Sequence, residues 1–122
     1  MKPFIGMDII EIDRVGKAIS SWRHHFLNRI YTKNELALCG NNISSLAARF
    51  AAKEAVMKAL GSGFTNSNWK DIEILSNPDG APTVQLYGGV LNRAKQLGIA
   101  DFVISLSHCK EYAIALLVSY AQ

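Results

Sequence analysis

Two carboxylates in this chain stand where carboxylates are costly. Glu54 lies in Arg49-Phe50-Ala51-Ala52-Lys53-Glu54-Ala55-Val56-Met57-Lys58-Ala59-Leu60-Gly61-Ser62-Gly63, a stretch that reads as a helix apolar almost all round, and such helices are normally buried. Asp8 lies in the middle of Phe4-Ile5-Gly6-Met7-Asp8-Ile9-Ile10-Glu11-Ile12, an apolar run of strand type without polar alternation. A buried charge needs a partner or a metal. Ala47, Ala51, Glu54 and Lys58 fall on one helix face, so two small residues leave room beside an acid and an amine. One acid from a strand and one from a helix suit a hard cation, because Mg²⁺ takes one or two carboxylates together with substrate phosphates. The bland alternative for Asp8 is a strand-end acid accepting backbone amides. The closing Gly61-Ser62-Gly63 would let backbone amides approach a ligand closely.

The elements that must position these residues follow from local signals. A strand is expected over 3–12, then helical segments over 13–29. Thr32-x-x-Glu35 is a capping box that starts the next helix at Thr32. Asn41-Asn42 breaks that helix, and Ser44 or Ser45 is expected to cap the long central one. Residues 61–68 read as a loop. Ile72-Glu73-Ile74-Leu75 reads as a strand, Asn77-Pro78-Asp79-Gly80 as a turn, and 81–86 as the returning strand. A short helix over 88–97 ends with Gly98 just past its last turn. Strands over 102–108 and 112–120 form a hairpin across Cys109-Lys110-Glu111. Strands gathered around one long helix predict a single α+β domain spanning 1–122, with an antiparallel sheet packed around that helix. In the last hairpin, Phe102, Ile104, Leu106 and His108 alternate with Val103, Ser105 and Ser107. The strand thus presents hydroxyls on one side and delivers His108 at its end. A lone histidine there is more often structural than catalytic, and Ser107-His108 lacks a third member for nucleophilic work.

The chain has 122 residues, 49% of them hydrophobic, and a formal net charge of +3. That is enough for a real core, with no run of about 18 apolar residues to span a membrane. Lys2 followed by Pro3, Gly6 and Asp8 does not read as a signal peptide. Cys39 and Cys109, without CxxC spacing, suggest a reducing cytoplasm and neither a disulfide framework nor a zinc site. No Walker loop or GxGxxG is present. Between 14 and 34 the chain carries Arg14, Lys17, Arg23, Arg29 and Lys33 with no acid. His24, His25, Val15, Ile19, Trp22, Phe26 and Leu27 are interleaved. This is either a solvated helix face or a docking surface for an acidic partner.

Taken together, Gly6-Met7-Asp8-Ile9-Ile10-Glu11-Ile12, the 49–63 segment, Asn77-Pro78-Asp79-Gly80-Ala81-Pro82 and Ile104-Ser105-Leu106-Ser107-His108 resemble the holo-[acyl-carrier-protein] synthases. These are the short class of 4′-phosphopantetheinyl transferases. The pieces occur in order along nearly the whole chain, and the one holding Lys53-Glu54 and Lys58 is the most specific. The resemblance implies transfer of the 4′-phosphopantetheine arm of coenzyme A to a serine of apo acyl carrier protein, with release of adenosine 3′,5′-bisphosphate, in the service of fatty acid biosynthesis. It implies Mg²⁺ on Asp8 and Glu54, and Lys58 against the pyrophosphate. Glu54, or a metal-bound water that it orients, would accept the serine proton. Arg49, Gly61, Ser62, Gly63, Ser107 and His108 would bind the nucleotide and its phosphates, with Pro82 shaping the pocket wall. Arg14, Lys17 and Arg23 would dock the carrier, although basic positions over 15–28 are sparser than in the family. It further implies a homotrimer with active sites shared between subunits, and the apolar Ile114-Ala115-Leu116-Leu117-Val118 accords with that.

Two rivals remain at this level. A nucleic-acid module could use 14–33 but leaves Asp8 and Glu54 unexplained, and neither nucleic acid nor a membrane is the expected partner. A Mg²⁺-dependent phosphohydrolase would want further carboxylates, whereas Asp71, Glu73, Asp79 and Asp101 read as residues of polar turns or strand starts.

Overall fold

The computed structural model describes residues 2–61 and 68–121. In chain order these form strand β1 (Lys2–Glu11), helix α1 (Ile12–Ile30), helix α2 (Lys33–Cys39) and helix α3 (Ile43–Leu60). A single tight helical turn (Trp69–Asp71) follows, then strands β2 (Ile72–Ser76) and β3 (Pro82–Leu86), helix α4 (Gly88–Gln96), and strands β4 (Ile99–His108) and β5 (Tyr112–Ala121). The expected α+β class holds, but the strands divide into two antiparallel sheets. One has the order β1-β5-β4 and the other is the β2-β3 hairpin.

Helix α3 lies against β1 and β5 and is the centre of the core. Ala51, Ala52, Ala55, Val56 and Leu60 pack with Ile72, Ile74, Leu86, Val90, Ala115 and Leu117. Its alanines are what allow the sheet so near. The closest approach is at Gly6, where a Cβ would stand 1.8 Å from the carbonyl oxygen of Ala55. Only glycine fits there, and that contact sets the height of β1 on α3. The pleat then turns Phe4, Asp8 and Ile10 towards the helix, and Ile5, Met7 and Ile9 to the outside.

Local signals set several boundaries as expected. Thr32 and Glu35 form the reciprocal capping box, and Gly98 follows the last turn of α4 with a φ of 76°. The cap of α3 differs from expectation. Asn42, rather than Ser44 or Ser45, is its N-cap, and its side chain accepts from the Ser45 amide at 3.0 Å. Helix α1 also departs from regularity, with Trp22 at φ −132° and ψ 25°. The kink follows Ser20-Ser21, a pair that loosens helices. It leaves Trp22 on the surface while Val15, Ile19 and Ile30 on either side keep their seats in the core.

Candidate active site

Asp8 and Glu54 meet. Strand β1 aims Asp8 at α3, and both acids line one cavity of about 320 Å³, together with Arg14, Val15, Phe26 and Phe50. Lys58, one turn beyond Glu54, donates from Nζ to Asp8 Oδ1 at 2.8 Å and to the Met7 carbonyl at 3.2 Å. Burial and the nearby Asp8 push the Glu54 carboxyl above its ordinary range, with Lys58 and Arg14 opposing them. The hydrogen bond to Asp8 and its charge raise the Lys58 amine. Two carboxylates on one cavity, with Asp8 near enough to disfavour ionisation of the partly buried Glu54, have the donor chemistry of a divalent-cation site. No group of three or more His, Cys, Asp or Glu side chains gathers among the described residues.

A second cavity of about 470 Å³ adjoins the first, sharing Phe26 and Phe50 and adding Trp22, His25, Arg29 and Trp69. Its floor is a stack in which Phe50 lies 5.0 Å from Trp69 and 6.2 Å from Phe26 between ring centroids. An aromatic trough thus leads away from the two acids.

The remaining sequence candidates do not all join this cluster. Arg14, read from the sequence as a docking residue, lines the acid cavity itself. Lys17 and Arg23 line a separate groove, and Lys17 pairs with Asp13 at 3.1 Å in full solvent. Arg49 turns away to the β2 end, donating to the Ile74 carbonyl at 3.4 Å and Ser76 Oγ at 3.1 Å. Pro82 is beside it, since Ser76 and Pro82 are register partners. Ser107 and His108 are exposed at the end of β4, and neither lines the acid cavity. Gly61 ends α3 with a φ of 79°, while Ser62 and Gly63 lie outside the described residues.

Lys53 has a different task from its neighbours. It is fully buried, paired with Glu35 Oε1 at 2.7 Å, and it donates to the carbonyls of Ile30 (2.8 Å), Trp69 (3.1 Å) and Ile72 (2.7 Å). Four acceptors converge on one nitrogen, so all three ammonium protons are in use. Glu35 is held in turn by the Thr32 and Ile74 amides. Glu73, expected in a polar setting, is instead nearly buried and accepts from Thr32 Oγ1, Asn34 and Tyr87. This network was missed because the capping box accounts for only one oxygen of Glu35. The signal available was Lys53 itself, a lysine in a helix apolar almost all round that must find an acid.

The family model of the 4′-phosphopantetheinyl transferase superfamily matches residues 4–117. A holo-[acyl-carrier-protein] synthase of Dehalococcoides mccartyi is 53% identical over 116 residues, covering 95% of this chain and 97% of that protein. The synthase of Chlamydia felis is 49% identical over 119 residues, with 94% of each covered. The crystal structure of the Helicobacter pylori synthase in complex with coenzyme A superposes with a TM-score of 0.85 at 35% identity, covering 95% of this chain and 99% of that one.

Proposed function

The chain belongs to the 4′-phosphopantetheinyl transferase superfamily, and on that premise we propose that Asp8, Glu54 and Lys58 carry its chemistry. The reaction is transfer of the 4′-phosphopantetheine arm of coenzyme A to a serine of apo acyl carrier protein, which supplies holo carrier for fatty acid synthesis. The observation that supports this assignment is the shared cavity of Asp8 and Glu54, with Lys58 at Asp8.

In the transfer, the serine oxygen forms a bond to the phosphorus that carries pantetheine. The bridging P–O bond breaks, and adenosine 3′,5′-bisphosphate leaves. Such chemistry is mostly positioning and neutralisation of charge. Asp8 and Glu54 would hold Mg²⁺, which would supply neutralisation of charge on the pyrophosphate. Lys58, bonded to Asp8, stabilises the leaving phosphate. Glu54 accepts the serine proton, directly or through a water that it orients. The trough of Phe26, Phe50 and Trp69 is an apolar bed for the pantetheine arm. Lys17 and Arg23, with Arg14 at the cavity, attract an acidic carrier.

Arg49, Gly61, Ser62, Gly63, Pro82, Ser107 and His108 serve the nucleotide in this reading. Within one chain Arg49, Gly61, Pro82, Ser107 and His108 do not line the acid cavity, and a neighbouring copy could bring such residues to it. The outward face of the β1-β5-β4 sheet supports a second copy as the occupant. Ile5, Met7 and Ile9 are 61%, 57% and 60% exposed there, alongside Val103, Leu116 and Tyr120. Apolar patches of this kind usually mark an interface, and a homotrimer would cover it. Among the described residues no helix is long and apolar enough to cross a membrane, and we place the enzyme in the cytoplasm.

The direct test is the intact mass of an apo acyl carrier protein after incubation with the enzyme, coenzyme A and Mg²⁺. A gain of one phosphopantetheine, abolished by EDTA, is expected. A gain that survives EDTA would remove the cation from the mechanism, and no gain with several apo carriers would overturn the reaction.

A further inference from the structure

We propose that Lys58 and a divalent cation compete for Asp8, so that the metal enters this site together with a pyrophosphate rather than ahead of it. This deepens the cation reading of Asp8 and Glu54 and rests on it. Lys58 Nζ lies 2.8 Å from Asp8 Oδ1 and 3.2 Å from the Met7 carbonyl. Its side chain is 56% exposed whereas that of Asp8 is 11% exposed. The acid is therefore the fixed member of the pair, and the lysine is the one able to leave.

The charges around the cavity point the same way. Two acids, Asp8 and Glu54, are matched by two bases, Lys58 and Arg14, both of which act on Glu54. Bare metal would bring two further positive charges to a balanced site, and an ammonium and a dication in contact with one carboxylate repel each other strongly. The pyrophosphate of coenzyme A relieves both problems. Its oxygens neutralise the cation, and they offer Lys58 a new anionic partner, which releases Asp8. Metal and nucleotide then favour each other reciprocally, as linkage requires. Exchanging the partner of one carboxylate is enough to make the coupling.

The experiment titrates Mn²⁺ into the full-length protein without nucleotide and follows the unbound ion by electron paramagnetic resonance. The variants are Lys58→Met, Lys58→Arg and Asp8→Ala, each checked for fold by circular dichroism. Lys58→Met is expected to bind Mn²⁺ alone about fivefold tighter than wild type, the size of effect suited to a partly exposed ion pair. Lys58→Arg, which keeps the charge, should stay weak. Coenzyme A should tighten the wild type more than it tightens Lys58→Met. Equal Mn²⁺ affinity in wild type and Lys58→Met, with binding lost in Asp8→Ala, would overturn the competition while keeping the metal site. Binding undiminished in Asp8→Ala would overturn both.

Discussion

Burial and the neighbouring Asp8 both favour the protonated form of Glu54, and only Lys58 and Arg14 oppose them. The folded state therefore holds that proton more tightly than the unfolded chain does. As pH rises from about 4.5, the ordinary value for this group, through the raised folded value, stability is lost. Above that window the cost is fully present. Glu54→Gln removes the charge and so should melt at a higher temperature than wild type at pH 8, in EDTA, with the advantage gone by pH 4. The same variant should lose roughly 10²-fold or more of its turnover, the scale seen when a transition-state contact is deleted. A variant that is no more stable at pH 8 would mean that Glu54 ionises at no cost. Stability given up for activity is what a catalytic group in a half-buried position is expected to show.

Elements hold these residues through two contacts of opposite kind, one steric and one ionic. At Gly6, an added Cβ would meet the Ala55 carbonyl oxygen at 1.8 Å. Since that oxygen is backbone, Gly6→Ala must push β1 off α3, at a cost of about 1–3 kcal/mol or more, read as a lower urea midpoint. Activity should fall further than stability because Asp8 moves with the strand. At Lys53, substitution by Met leaves Glu35 buried and unpaired, which costs about 3–5 kcal/mol. The double variant Glu35→Leu/Lys53→Met should remain less stable than wild type, because three carbonyls and two amides lose their partners with the pair. Wild-type stability in the double variant would reduce the network to a simple charge pair. The capping box at Thr32, both hairpins and the end of α4 were legible because each is a local bargain among a few neighbouring residues. The cap of α3 was not, since Asn42, Ser44 and Ser45 all offer an oxygen and only the path of the chain chooses. The partner of Lys53 lies 18 residues away at Glu35, beyond any local pattern. Arg14 lines the acid cavity from the first turn of α1, directly after β1, a placement that composition does not encode. Asp8 and Glu54 were legible because each broke an apolar pattern.

Across the whole molecule, the sheet order β1-β5-β4 gives one face to α3 and leaves the other outward, with Ile5, Met7 and Ile9 of β1 beside Leu116 of β5. On the proposed assembly, Leu116→Lys should sediment as a monomer with an unchanged circular dichroism spectrum and should lose transfer activity. A monomeric variant with full activity would show that each chain carries a complete site. On the proposed site and assembly, strand β1 has two roles separated by a single residue step, with Asp8 facing in and Met7 and Ile9 facing out. Its ten register pairs with β5 run from Lys2 opposite Ala121 to Glu11 opposite Tyr112. Slippage by one residue would exchange the two faces together. The carboxylate would land on the greasy outer surface, and a methionine would be driven against Ala55 where only Gly6 fits. A misthreaded chain would thus fail in folding, in chemistry and in self-association at once, so that a single alignment proofreads all three.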